Sequence, residues 1–207
     1  MIGLIAATRR GGRLAGHLAG AWPDARLYTG RPAEALARAF PECRGLVMFM
    51  AVGAALRLVA PLLKDKSRDP GIVGVDDAAR FAVALAGGHA GGANRLAVRV
   101  GETLGAEPVI TTASDVLGYP DLESLGADIG FRLEEGGDLA AVGSAIVSGE
   151  RVTLVSDLNW PLPPVPPNVV RGESPEAPSL VVSDRTGPVP RPAVVYRPPS
   201  LVLGIGC

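Results

Sequence analysis

Leu46-Val47-Met48-Phe49-Met50, followed at once by Ala51-Val52-Gly53-Ala54-Ala55-Leu56-Arg57-Leu58-Val59-Ala60-Pro61-Leu62-Leu63, is the stretch from which the fold can be read. Its first five residues carry no polar side chain, so they give neither face to water; strands buried on both faces are typical of parallel sheets. From Val52 to Leu63 the apolar residues return at helical spacing until a polar break. A buried strand running straight into a helix is half of a βαβ unit.

Working outward, the same alternation recurs on both sides. Ile2–Ala7 is a short apolar run, Leu14–Trp22 has a helical pattern, Ala25–Tyr28 is a brief strand, and Pro32–Phe40 opens a helix with proline where its missing N–H costs little. Ile72–Val75 and Phe81–Leu85 are strand-like and close together, joined by a hairpin or a crossover. Leu96–Leu104 is helical and Pro108–Ile110 strand-like. The pattern implies an α/β fold with an open, mainly parallel sheet flanked by helices over residues 1–118.

A smaller strand- and proline-rich α/β region follows over 119–200. Asp121–Ser148 reads as a helical segment with many glycines, Arg151–Val155 as a strand, and Trp160–Pro167 as a stiff polyproline-like connection. Leu180–Val182, Ala193–Tyr196 and Leu201–Ile205 are further short strands. Residues 201–207 read as the opening of a C-terminal domain of which the chain holds only the start.

Composition narrows the function classes. The 207 residues are 47% hydrophobic and 20% charged, with 20 basic against 21 acidic side chains. That balance lacks the basic field needed for a phosphate backbone, so nucleic acid is not an expected partner. The two cysteines, Cys43 and Cys207, form neither a disulfide framework nor a thiolate metal site. The N-terminal apolar run is too short to span a membrane, and its charges follow rather than precede it. A cytoplasmic protein is expected.

Three clusters can carry chemistry. Gly87-Gly88-His89-Ala90-Gly91-Gly92-Ala93-Asn94 lies between a strand and a helix. Its glycines leave amides bare beside a helix N-terminus, which suits an anion, or they simply make a tight turn that His89 supports. Neither the dinucleotide fingerprint nor a P-loop is present. Arg57, Lys64, Asp65, Lys66, Ser67, Arg68 and Asp69 read either as a solvated helix end or as a cationic wall for a polyanionic ligand. Thr111-Thr112-Ala113-Ser114-Asp115 ends a strand, where open α/β sheets bind ligands, or else caps the next element. Asp76 and Asp77 sit at another strand end, and His17 reads as a surface or satisfied core residue rather than a catalyst.

In order and spacing, Phe49–Gly53, Arg57–Lys66, Asp69-Pro70, Val73–Asp77, Gly88–Asn94 and Val109–Asp115 resemble the cobalt-precorrin-5A hydrolase (CbiG) family of cobalamin biosynthesis. Gly87 stands where the family usually has serine, and Ser114 where it has threonine. The resemblance implies a hydrolase that opens the δ-lactone of cobalt-precorrin-5A with water, releasing acetaldehyde and giving cobalt-precorrin-5B. It implies no recruited cofactor or metal site, since the cobalt arrives within the substrate. Arg57, Lys64, Lys66 and Arg68 would then pair with acetate and propionate arms. Gly88, Gly91, Gly92, Asn94, Thr111, Thr112 and Ser114 would line the substrate or its oxyanion. His89 would act as general base, with Asp115 or Asp76 orienting it. Other pathway enzymes and a second copy in a homodimer are expected partners. Two further readings stand beside this one: a non-catalytic corrinoid-binding module, and a phosphate- or nucleotide-binding domain.

Overall fold

A computed structural model of the chain describes residues 1–65, 68–156, 161–189 and 191–199. The chain divides into two compact units, Met1–Thr112 and Ala113–Cys207.

The first unit is built on a six-stranded sheet. Its strands are β1 (Ile2–Ala6), β2 (Ala25–Tyr28), β3 (Gly45–Phe49), β4 (Gly71–Val75), β5 (Phe81–Ala86) and β6 (Glu107–Val109). Their order is β2-β1-β3-β4-β5-β6. β1 to β4 run parallel, β5 turns back antiparallel to β4, and β6 follows β5. The central β3 and β4 are buried throughout, as their unbroken apolar runs require. β6 carries Pro108 and lies at the sheet edge, where a missing N–H leaves no ladder bond unmade.

Four helices cover the two faces: α1 (Arg9–Ala21), α2 (Pro32–Ala39), α3 (Val52–Val59) and α4 (Ala93–Leu104). The alternation within β3 assigns the layers. Val47 and Phe49 join Ala15, Leu18, Trp22, Leu96 and Val100 on the α1/α4 face. Leu46 and Met48 join Leu36, Ala39, Ala55 and Val59 on the α2/α3 face. α1 starts earlier than hydropathy alone implies because Thr8 caps it, its hydroxyl accepting from the Gly11 amide at 2.9 Å. α3 stops at Val59, short of Leu63, because Pro61 cannot continue the ladder.

The second unit holds a one-turn helix α5 (Ala113–Val116), β7 (Arg132–Leu133), α6 (Leu139–Val147), β8 (Val152–Ser156), β9 (Val169–Arg171), β10 (Ser179–Val182) and β11 (Ala193–Arg197). Its sheet runs β7-β11-β10-β8-β9, parallel except for β7. α6 and Phe131 pack against one face through Leu154, Leu180, Val194 and Tyr196. The helical segment expected over Asp121–Ser148 survives as α6 and a short 3-10 turn, because Gly126, Gly130 and Gly136 all take positive φ. Pro161–Pro166 has no regular secondary structure. Trp160 and the expected strand and domain start at 201–207 lie outside the described residues.

Arg99 of α4 ties the first unit together across its sheet edge. It forks onto Asp24 at 2.7 and 3.2 Å, and its guanidinium lies 4.0 Å from the Trp22 ring centroid. Arg44 reaches the same carboxylate at 3.1 Å. The Arg99 hydrogen bonds outweigh burial, and with Arg44 they hold the Asp24 carboxyl down at about 2. An unfolded aspartate titrates at about 4, so this stabilisation is complete above that pH and is lost as pH falls through about 2. Asp24→Asn should therefore cost about 2 kcal/mol in urea unfolding at pH 7, a gap that closes toward pH 2. An equal loss at both pH values would show that packing, not charge, makes the contact.

Candidate functional site

The antiparallel turn of β5 sorts the sequence clusters onto two edges of the first sheet. β1, β3 and β4 end at one edge, whereas β5 and β6 end at the other. The glycine turn, leaving β5, therefore meets the chain just before β4 begins. A Cβ on Gly91 would stand 2.7 Å from the Gly71 amide nitrogen, 2.9 Å from Gly87 O and 3.0 Å from Asp69 O. One on Gly87 would stand 3.0 Å from Pro70 O, and Gly87 also holds φ at +68°. These are close approaches of backbone to backbone that a side chain would force apart.

Asp69 folds the loop that arrives there. Its Oδ2 accepts from the amides of Lys64 at 2.7 Å and Asp65 at 2.9 Å, and its own amide donates to Asp65 O at 2.8 Å. Lys64 and Arg68 are carried on that loop with exposed side chains; Arg68 reaches Asp65 only at 4.0 Å. Lys66 lies outside the described residues. Asp69 was legible as a carboxylate in a basic run, but its use as a loop brace was not.

Within the glycine turn, the residues separate into those that shape it and those that face outward from it. Gly92 donates to His89 O at 2.9 Å, Ala93 to Gly87 O at 3.0 Å and Asn94 to Gly88 O at 3.1 Å. The first amides of α4 are thus occupied by the turn itself, which corrects the expectation that the helix start offers them to an anion. Asn94 is buried, and its Nδ2 donates to Thr112 Oγ1 at 2.9 Å. That bond joins the turn to the end of β6, with Gly88 close to both partners. His89 is half-buried and Thr111 exposed. One edge thus gathers His89, Gly88, Thr112, Lys64 and Arg68.

Two expected members lie elsewhere in the same unit. Asp76 ends β4 at the opposite edge, five residues from Gly71, or about 17 Å of strand. Its carboxylate closes the β4–β5 hairpin, accepting from Ala78 at 3.2 Å and from Arg80 and Phe81 at 2.8 Å. Burial pushes this carboxyl up, but those three amides and the Arg80 charge prevail and lower it. Asp76 is therefore not brought to His89. Arg57 points the same way: its Nη1 donates to Gly53 O at 2.9 Å, toward the start of α3, as helical side chains lean. That edge also carries an unforeseen contact, Thr8 Oγ1 donating to Asp77 Oδ1 at 2.8 Å. Ser114 and Asp115 belong to α5 in the second unit.

Residues 34–115 match the family described as Cobalamin synthesis G N-terminal, and residues 120–198 match the one described as Cobalamin biosynthesis central region. The chain belongs to the CbiG family. A cobalt-precorrin-5A hydrolase from Priestia megaterium is 33% identical over 200 residues, covering 88% of this chain and 53% of that protein. One from Salmonella typhimurium is 37% identical over 128 residues, covering 61% of this chain and 36% of its own length. The chain thus spans about half the length of the first relative, and less of the second. A crystal structure of a cobalamin biosynthesis protein G homolog from Sulfolobus solfataricus has a TM-score of 0.55 at 21% identity, covering 95% of this chain and 60% of that one. At that identity the likeness concerns the fold, which is α/β in both.

For a CbiG protein, then, the hairpin at Asp76 and the glycine turn do separate jobs. Gly91→Ala should lower stability by about 1–3 kcal/mol, because its Cβ meets backbone on three sides; a wild-type urea midpoint would mean the turn is not held against β4. Asp76→Asn should lose about 1–2 kcal/mol at pH 7. Since its folded carboxyl is depressed, that deficit should shrink as acid protonates the wild-type side chain. A deficit unchanged down to acid pH would deny the carboxylate its role in the hairpin.

Proposed function

We propose that this chain provides the substrate-binding and hydrolytic part of a cobalt-precorrin-5A hydrolase. The observation that carries the reading is the meeting of the glycine turn, the Asp69-braced loop and Thr112 at one sheet edge. The names of its curated relatives supply the substrate class.

In this reading His89 takes a proton from water, whose oxygen adds to the lactone carbonyl. The carbonyl electrons move onto oxygen, held by donors of the Gly88–Gly91 turn. Collapse breaks the ring C–O bond, leaving a carboxylate and an alkoxide that recovers the proton. The alcohol so formed gives up its proton as the carbon–carbon bond to the macrocycle breaks. Its oxygen becomes the aldehyde carbonyl of acetaldehyde, and the electron pair left on the ring carbon is protonated. Lys64 and Arg68 meet carboxylate arms of the macrocycle, while Gly91, Gly92 and Asn94 keep the turn in shape. The cobalt enters with the substrate, no cofactor is recruited, and the work is cytoplasmic.

Anaerobic incubation of the chain with cobalt-precorrin-5A should release acetaldehyde. His89→Ala should cut kcat by about 10²–10⁴-fold while leaving substrate affinity intact. Lys64→Ala should raise KM by up to about fivefold with kcat preserved, as suits an exposed charge contact of about 1 kcal/mol or less. Tight binding without release by the wild-type chain would overturn the assignment of catalysis to these residues. Unchanged turnover in His89→Ala would remove the imidazole from the mechanism.

A further inference from the structure

Parallel strands normally need cover on both faces, yet α6 and its cluster pack on only one face of the second sheet. On the other face, Val155, Val181, Ala193, Val195 and Val189 form a small apolar group without a helix among the described residues. There, at the carboxyl ends of β8, β9 and β10, lies a cavity of about 680 Å³. Its volume falls in the range of small-molecule sites, and its position is the one where open α/β sheets take ligands.

The lining has two characters. Val155, Val181 and Val189 make an apolar floor, while Ser156, Ser183 and Thr186 add hydroxyls. Buried in the floor, Ser179 is paired with Thr153 at 2.8 Å. Arg171, Arg185 and Arg197 complete it, with Glu173 the one carboxylate among the described residues of the lining. Arg197 is committed to structure: it pairs with Glu134 and donates to Ser183 O at 2.9 Å and to Arg185 O. It therefore fixes the rim loop on which Arg185 stands, so the ordering of that loop precedes any ligand. Arg171 ends β9, exposed on the opposite rim.

We propose that this cavity is a second ligand site, which takes the carboxylate-bearing edge of a corrinoid. Arg171 engages an acetate or propionate arm, Arg185 adds its charge to the facing rim, and the valine floor receives the apolar ring edge. Planar guanidinium groups suit carboxylates, and an apolar floor beneath a cationic rim suits a ring bearing acidic arms better than a free inorganic anion. The corrinoid as occupant rests on the functional reading above; the cavity and its charge do not.

Uroporphyrin I, a tetrapyrrole with eight carboxylates, is the probe, with ATP as the control anion. Hydrogen exchange on the full chain should show uroporphyrin protecting residues 171–175 and 183–189, with ATP giving no such protection. Arg171→Glu should weaken this binding about tenfold or more. Gly187→Trp should block it separately, since a Cβ at Gly187 has nothing within 4 Å and the substitution leaves both arginines in place. Protection confined to residues 87–94, or binding indifferent to both variants, would overturn the second site while sparing the hydrolase reading. Equal protection by ATP would overturn the carboxylate assignment. Protection at 171–175 and 183–189 without acetaldehyde release would sustain the site and count against the hydrolase reading instead.

Discussion

The reversal of the chain after β4 governs where everything else in the first unit falls. Three backbone amides, those of Ala78, Arg80 and Phe81, converge on the Asp76 carboxylate, and Ala79 takes φ +53° so that the chain can double back. A β-carbon at positive φ is unfavourable, and the charge-assisted hydrogen bonds offset that cost. Because β5 then runs antiparallel, the segment leaving it arrives beside the start of β4 and not beside its end. Had β4 been followed by another parallel strand, the glycine turn would have joined Thr8, Asp77 and Arg57. Instead it joins Lys64, Asp69 and Thr112.

This also explains which parts of the architecture could be read beforehand. β1, β3 and β4 were legible because burial on both faces leaves an unbroken apolar run. The helices were legible from spacing, with their ends displaced by Thr8 and Pro61. The period of two left the direction of β5 open between a hairpin and a crossover, and the signal that decides it is the five-residue link after Val75, too short for a parallel crossover. β7 and β9, two and three residues long, were missed because so short a segment carries no measurable period.

The site was legible as residue types and illegible as geometry. A basic run shows that Lys64 and Arg68 exist, but not that Asp69 holds them in a folded loop. Arg57 is seven residues from Lys64 in sequence, yet its side chain leans back along α3 toward the opposite edge. Spacing within Gly88–Asn94 correctly marks a strand-to-helix turn, while hiding that the turn's own carbonyls consume the first amides of α4. Every such failure concerns where a hydrogen bond goes, and that is settled by tertiary approach and not by local pattern.

Magnitudes bear on how a polyanion can be held at all. Lys64 and Arg68 are exposed, and an exposed ion pair contributes about 0–1 kcal/mol, further reduced by salt. Two such contacts orient a ligand without retaining it. An arginine rim over an apolar floor works differently: ring burial supplies roughly 25 cal/mol for each Å² removed from water, and the exclusion of water strengthens each guanidinium–carboxylate bond. The second sheet, with no helix on one face among the described residues, has such a floor in Val155 and Val181 and a rim braced by Arg197. The first sheet is covered by helices on both faces and presents loops at its edges. Its assets are instead rigid: Asn94 bonded to Thr112, and glycines packed backbone to backbone against β4. Rigid donors suit a reacting group, whereas an arginine-rimmed apolar cavity suits retention, and the proposed division of labour between the two sheets rests on that difference.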